Sequence, residues 1–384
     1  MYSPEFLGTK TIVIVGEKIE GVYDKINIPE DFVLIRVIEG KDKICIPGFI
    51  DSHVHIIGGG GEGGFTTRTP EINIKTLIEA GITTVVGCLG TDSVRRNIQN
   101  LIAKANALEE EGITSYCYTG SYDLPVKTLM NSIEEDIMLI NKVIGVGEVA
   151  LSDDRSSQPT YEEVIRAVSQ ARVAGLLSGK SGIVNIHLGN GKRKIEYLFR
   201  LLEETEIPLT QLLPTHINRS KTLLEEGLKY VKKSGYIDLT TSCDPDHLEK
   251  DEVRASEGLA YLLKSKVDIS HITFSSDGNG SLPIFENGKL IGIGICKVSS
   301  LFEEVREAVN TYNVPLEDAI KVITSNVAKF LKLKNKGSIE INIDADLVII
   351  NEEDLNIDIV LAKGKVVVEK GKAIIKSNFM NIYY

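Results

Sequence analysis

Two histidines one residue apart, His53 and His55, close the apolar stretch Pro47-Gly48-Phe49-Ile50-Asp51-Ser52-His53-Val54-His55. On a β-strand, residues two apart project from the same face, so these imidazoles can aim at one point. Imidazole is a good ligand for divalent transition metals. A lone His-x-His is a weak signal, and its weight depends on whether other strand ends supply partners. His187 closes a strand-like run at 182–187, and His216 closes another at 209–216. Glu148 lies in the run 146–151, and Asp277 ends Ser275-Ser276-Asp277-Gly278. Taken singly, His187 and His216 read as satisfied histidines and Asp277 as a turn residue. Six such residues at strand ends are hard to produce by turn chemistry, and together they point to a metal centre.

For these side chains to meet, their strands must stand side by side. From Ile50 onward, helix and strand patterns alternate. Helices are expected at 72–80, 93–111, 133–144, 161–177, 194–204, 221–234, 257–264, 299–312 and 315–330. Strands are expected between them at 83–89, 115–118, 146–151, 182–187, 209–216, 236–241 and 272–275. With the first strand this makes about eight, the signature of a (β/α)8 barrel, whose active sites lie at the C-terminal strand ends. A doubly wound sheet would want a phosphate loop opening a helix. The glycine-rich loop 58–64 instead follows the histidine pair, and no helix follows it at once. Both chain ends read as short strands: 11–15, 18–24, 33–39 and 44–46 at one end, then 344–350, 357–362, 365–369 and 372–376 at the other. Lys363-Gly364 and Lys370-Gly371 read as turns. The expected organisation is an α/β barrel over 49–331, with a small β-sandwich built from 1–48 and 332–384.

The 384 residues are 42% hydrophobic and 25% charged, ordinary for a soluble globular chain. A net charge of -11 argues against nucleic acid or an anionic membrane as the main partner. No stretch reads as a signal peptide or a membrane span. The five cysteines, Cys45, Cys88, Cys117, Cys243 and Cys296, have no Cys-x-x-Cys spacing and read as reduced thiols in a cytoplasmic protein. Cys88 and Cys243 end strands near the rim, where packing is the expected role. His247 reads as a loop residue. His271 starts a strand and so faces away from the metals. Tyr116 and Tyr118 read as barrel packing, and without a motif Thr91, Tyr122 and Ser281 read as capping or solvated hydroxyls.

Longer motifs add to this. They are Gly-Phe-Ile-Asp-x-His-Val-His-x-Ile-Gly-Gly-Gly-Gly-Glu from residue 48, Thr-Thr-Arg-Thr-Pro-Glu (66–71), Leu-Gly-Thr-Asp-Ser (89–93), Ser-Asp-x-Arg-Ser (152–156), Leu-Leu-Pro-Thr-His-x-Asn-Arg (212–219) and Ser-Ser-Asp-Gly-Asn-Gly-Ser (275–281). With the order of ligands along the strands, they resemble the isoaspartyl (β-aspartyl) dipeptidases of the amidohydrolase superfamily. The resemblance implies two divalent metal ions, zinc first among them, held by His53, His55, Glu148, His187, His216 and Asp277. It also marks a departure. In that family a carboxylated lysine on the fourth strand bridges the metals. Here Val146-Gly147-Glu148-Val149-Ala150-Leu151 has no lysine. Glu148 keeps the family's spacing to Arg155, and we read it as the bridging anion.

The implied reaction is hydrolysis of β-aspartyl dipeptides by a hydroxide bridging the two ions, with Asp277 as general base and then acid. Glu62 suits the substrate's α-ammonium, with Gly60 and its neighbours allowing close backbone approach. Arg155 and Arg219 suit its two carboxylates, and Tyr122 suits the oxyanion. Thr91 and Ser281 would add hydrogen bonds. A homo-oligomer, an octamer, is implied in the same way. The competing reading is a cyclic amide or imide hydrolase of the dihydropyrimidinase or hydantoinase kind. A non-catalytic interaction protein on this fold should have lost ligands, and this chain keeps a full set.

Overall fold

The computed structural model describes residues 1–28, 35–242, 248, 251–286 and 289–375, with backbone alone at 285, 286, 289 and 290. Cys243, His247, residue 376 and part of the strand expected at 33–39 lie outside the described residues, and 35–39 is not strand. In chain order the elements are β1 (Thr11–Val15), β2 (Lys18–Tyr23), β3 (Lys43–Pro47), β4 (Phe49–Val54), α1 (Ile74–Glu79), β5 (Ile82–Gly87), α2 (Ile98–Glu110), β6 (Thr114–Thr119), α3 (Ile133–Leu139), β7 (Val143–Leu151), α4 (Tyr161–Ser178), β8 (Ile183–Leu188), α5 (Glu196–Glu204) and β9 (Leu212–Thr215). They continue with α6 (Lys221–Val231), β10 (Ile237–Thr240), α7 (Ala255–Lys264), β11 (Ile272–Ser275), β12 (Ser281–Glu286), β13 (Lys289–Ile295), α8 (Ser300–Asn310), α9 (Leu316–Ala319), α10 (Ser325–Phe330), β14 (Leu347–Asn351), β15 (Ile357–Ala362), β16 (Lys365–Glu369) and β17 (Lys372–Ala373).

β4 to β9 form a curled parallel sheet of six strands in sequence order, and β10 and β11 pair in parallel. These are the strands expected of a barrel. The two sheets meet at both edges. The His55 N–H donates to Gly278 O at 2.9 Å, beside a Val54–Gly278 bridge. Asn218, just past β9, accepts from the Thr240 N–H at 2.8 Å and donates to Thr240 O at 2.9 Å.

Strands buried on both faces read as continuous runs of β-branched residues, and β5, Ile-Thr-Thr-Val-Val-Gly, is buried throughout. Its outer face packs, through Val85, into the core that holds Leu77 and Leu101 of the surrounding helices. Inside the barrel, Ile50, Tyr118, Ile144, Ile183 and Leu213 cluster with Val327, Phe330 and Leu331. Most of these stand near the starts of their strands, so α10 and the turn after it plug the N-terminal end. The opposite rim is left for chemistry.

The helices follow their caps. α4 carries a Thr160/Glu163 capping box and ends at Gly179 with φ 72°, while Val164, Ala167, Val168, Ala171 and Ala174 form its buried stripe. α2 begins five residues later than expected. The Asp92 carboxylate accepts from the N–H groups of Val94 and Arg95, holding 92–95 in a turn, and Asn97 then caps the helix at Asn100 N. α3 ends at Leu139, and Val143 and Ile144 join β7 instead. The helix expected over 315–330 breaks at a 3-10 turn, Lys321–Ile323, where the Thr324 hydroxyl donates to Ile320 O.

The antiparallel β12–β13 hairpin was not expected, because Pro283, Gly292 and Gly294 break its alternation. The chain ends build a sheet of order β17-β16-β15-β14-β3. The β1–β2 hairpin packs on it, with Ile12, Ile14 and Ile19 against Leu347, Ile349 and Leu361. Lys363-Gly364 and Lys370-Gly371 all have positive φ, as two-residue hairpin turns require.

Candidate metal centre and active site

The six predicted ligands converge at the C-terminal rim. β4 delivers His53 and His55, β7 Glu148 and β8 His187. His216 follows β9 directly and Asp277 lies two residues past β11, and both adopt left-handed backbone (φ 62° and 51°), uncommon for residues with a side chain. Glu148 is the hub. Its Oε2 lies 3.2 Å from His53 Nε2, 3.2 Å from His187 Nδ1 and 3.8 Å from His216 Nε2, and its Oε1 lies 3.5 Å from His55 Nε2. Asp277 Oδ1 is 3.0 Å from His55 Nε2 and 3.6 Å from His53 Nε2.

Two fits to metal stand out. First, His53 Nδ1 and Nε2 and His216 Nε2 are buried without an aligned hydrogen-bond partner. The 3.2 Å approach of Glu148 to His53 is close enough for an ion pair but is not a hydrogen bond. Buried polar atoms are rarely left unpaired, and a cation satisfies such lone pairs. Second, ligand atoms of His53, His55, Cys88 and Glu148 lie within 4.8 Å of one another, as do those of Glu148, His187 and His216. Glu148 belongs to both groups. Burial disfavours its charge, yet the surrounding histidines hold its carboxyl well below the usual carboxylate range. Burial pushes His216 down to about 3, helped by Arg219 and His187, so it stays a neutral imidazole.

Around this floor stand the predicted substrate residues, in a cleft of about 320 Å³ lined by His55, Gly60, Glu62, Thr91, Tyr122, Arg155, His187, His216, Arg219, Asp277 and Ser281 among others. That is room for a small ligand. Thr91 Oγ1 donates to Glu62 Oε1 at 2.6 Å and Ser281 Oγ to Glu62 Oε2 at 3.4 Å, so both hydroxyls position this carboxylate. Gly60, at φ 69°, has no room for a Cβ, which would meet Thr67 O at 2.7 Å. The Tyr122 hydroxyl lies 2.8 Å from His187 Nδ1. Burial and Glu148 push it well up, so it remains an O–H donor.

Several residues were missed. Asp153, buried between the arginines, accepts from Arg155 Nε and Nη2 at 2.9 and 2.8 Å, lies 3.7 Å from Arg219 Nη1, and sits 3.0 Å from His187 Nε2. Burial pushes its carboxyl up, but Arg155 and His187 hold it far below the usual range. Thr240 Oγ1 lies 2.5 Å from His216 Nδ1. Each is placed to fix the orientation of the imidazole it meets. Cys88 packs in the barrel-interior cluster, as expected, and its Sγ also lies 3.8 Å from His55 Nδ1. Of the remaining histidines, His271 precedes β11, stacks on Tyr236 and is far from the rim, as expected. Tyr118 is fully buried in the barrel interior with Tyr116 against it. Among the described residues no helix is long and apolar enough to cross a membrane.

A model of the amidohydrolase family matches residues 44–367. The solved beta-aspartyl dipeptidase of the thermophilic keratin-degrading Fervidobacterium islandicum AW-1, in complex with a beta-Asp-Leu dipeptide, is 43% identical. It superposes with a TM-score of 0.90 over 99% of this chain and 97% of its own. A second structure of the F. islandicum AW-1 enzyme is 42% identical with a TM-score of 0.87, over 100% and 97%. Adenine deaminase of Thermosipho africanus is 23% identical over 93% of this chain, which spans 55% of the deaminase's length.

Proposed function

The chain belongs to the amidohydrolase family and is a hydrolase of amide bonds, and we propose that its substrates are β-aspartyl dipeptides. The observation that carries this reading is the charge pattern of one cleft. Glu62, Arg155 and Arg219 line the same pocket as the histidine and carboxylate cluster. A β-aspartyl dipeptide carries one ammonium and two carboxylates, which that set of one carboxylate and two guanidiniums complements. The likeness to an enzyme solved with beta-Asp-Leu supports the same class.

Two divalent cations, zinc first among them, would be held by His53, His55, His187, His216, Asp277 and a bridging Glu148. When bound, they supply Lewis-acid polarisation of the scissile carbonyl and acidify the attacking water. The chain's own residues do the rest. Glu62, set by Thr91 and Ser281, takes the α-ammonium. Arg155 and Arg219 take the carboxylates, and Asp153 keeps the two guanidiniums aimed. The Tyr122 hydroxyl donates to the oxyanion that forms as the carbonyl becomes tetrahedral. Asp277 accepts the proton of the attacking water and passes it to the leaving amine. A cyclic imide such as hydantoin would offer Glu62 no ammonium and the two arginines no carboxylate to bind. Turnover of β-Asp-Leu, α-Asp-Leu and hydantoin by the zinc-loaded chain tests the reading. Hydrolysis confined to β-Asp-Leu is expected, and hydrolysis of hydantoin but not β-Asp-Leu would overturn it.

A further inference from the structure

Cys88 follows β5 directly, is fully buried, and points its sulfur into the ligand cluster. Sγ, a ring nitrogen each of His53 and His55, and a Glu148 carboxylate oxygen all lie within 4.8 Å of one another. An outer partner of a single histidine would not share that centre. Asp153 and Thr240 hydrogen-bond one imidazole each, at 3.0 and 2.5 Å, whereas the sulfur's approach to His55 Nδ1 is long, at 3.8 Å. The backbone after it is pressed onto the same cluster. A Cβ at Gly90 would sit 3.1 Å from His55 Cε1 and 3.6 Å from Glu148 Oε1.

Resting on the reading of the site as a metal centre, we propose that Cys88 is itself a metal ligand, bound as thiolate on the His53/His55 side beside Glu148. Thiolate, imidazole and carboxylate form an ordinary donor set for zinc and cobalt. The charges favour it. Two dications bring four positive charges, Glu148 and Asp277 return two negative ones, and the thiolate adds a third. Binding breaks the S–H bond and makes an S–metal bond. The proton leaves to solvent, so loading releases one more proton than the other ligands require.

Cobalt replaces zinc in such sites and reports its ligands by absorption. The metal-free chain, loaded with Co2+ alone, should show a near-ultraviolet thiolate-to-cobalt charge-transfer band that rises with metal added. Cys88→Ser and Cys88→Ala should lose the band while keeping the visible bands of nitrogen and oxygen coordination. Cys296→Ser, which removes a thiol that lines the cleft, should keep it. A cobalt-loaded wild type without the band, or one whose band disappears with Cys296 instead, would overturn the proposal. If neither Cys88 variant folds, cadmium NMR of the wild type decides by whether the ion's shift is that of a thiolate complex. The outcome is independent of substrate: β-Asp-Leu turnover without the band sinks the thiolate alone, and the band without turnover sinks the substrate assignment alone.

Discussion

Asp153 shows what a single residue does at this rim and why the sequence concealed it. It lies in a motif, Ser-Asp-x-Arg-Ser, whose chemistry seemed to belong to Arg155. Its role depends on what stands opposite in space: Arg219 from the loop after β9 and His187 from β8. No spacing along the chain announces that. The six candidate ligands were legible because they lie on or just past five strands, and a barrel gathers strand ends at one rim. Cys88 also ends a strand, but thiols at strand ends are common in cores. Asp153→Asn keeps the size but removes the charge that aims two guanidiniums and one imidazole. We expect kcat/KM for β-Asp-Leu to fall roughly 10- to 100-fold with the fold intact. Steady-state kinetics beside a far-ultraviolet spectrum checks this, and unchanged kinetics would remove Asp153 from the account.

At the scale of elements, the strands were easier to read than the helix ends and the hairpin. Period and β-branching mark a buried strand. The start of α2 was fixed by Asp92 and Asn97 side chains, which compete with helix for the same backbone N–H groups. Polar residues inside the barrel also tie its last strands together. Asp238 on β10 is buried and accepts from Thr215 Oγ1 at 2.7 Å, Thr273 Oγ1 at 2.8 Å and Ser275 Oγ at 2.6 Å, joining β9, β10 and β11. Burial, opposed by those hydroxyls, raises its carboxyl from 3.8 to about 6. The folded chain therefore keeps a proton that the unfolded chain releases. The stability from this group is full below the unfolded value and is lost as pH rises to the folded one, by ~3 kcal/mol in all. Asp238→Asn cannot titrate. Urea unfolding of the metal-free proteins should show wild type losing that amount relative to the variant between about pH 4 and 6, and a flat difference would contradict the assignment.

At the scale of the molecule, the sheet made from both chain ends was legible in outline, since short strands and Lys-Gly turns flank the barrel pattern. What clamps it was not. Lys336, past α10, is nearly buried, with Nζ 2.5 Å from Asp346 Oδ2 and 2.9 Å from Asp344 Oδ2. Asp346 Oδ1 in turn accepts from the Lys363 N–H in the β15–β16 turn. Lys336→Met leaves the buried Asp346 carboxylate without its cation, while Asp344 keeps Lys18 at 2.6 Å, and should cost roughly 3–5 kcal/mol of stability. The turnover of the chain that remains folded should not change. Unfolding curves and kcat on the same preparation separate the two effects. A two-ion centre bridged by Glu148 that cleaves β-aspartyl dipeptides would show itself in one titration. Zinc is added to the metal-free chain in buffer stripped of carbon dioxide, and β-Asp-Leu hydrolysis is followed. Turnover should climb to a plateau at two ions per chain. A plateau at one ion, or no hydrolysis at any loading, would contradict it.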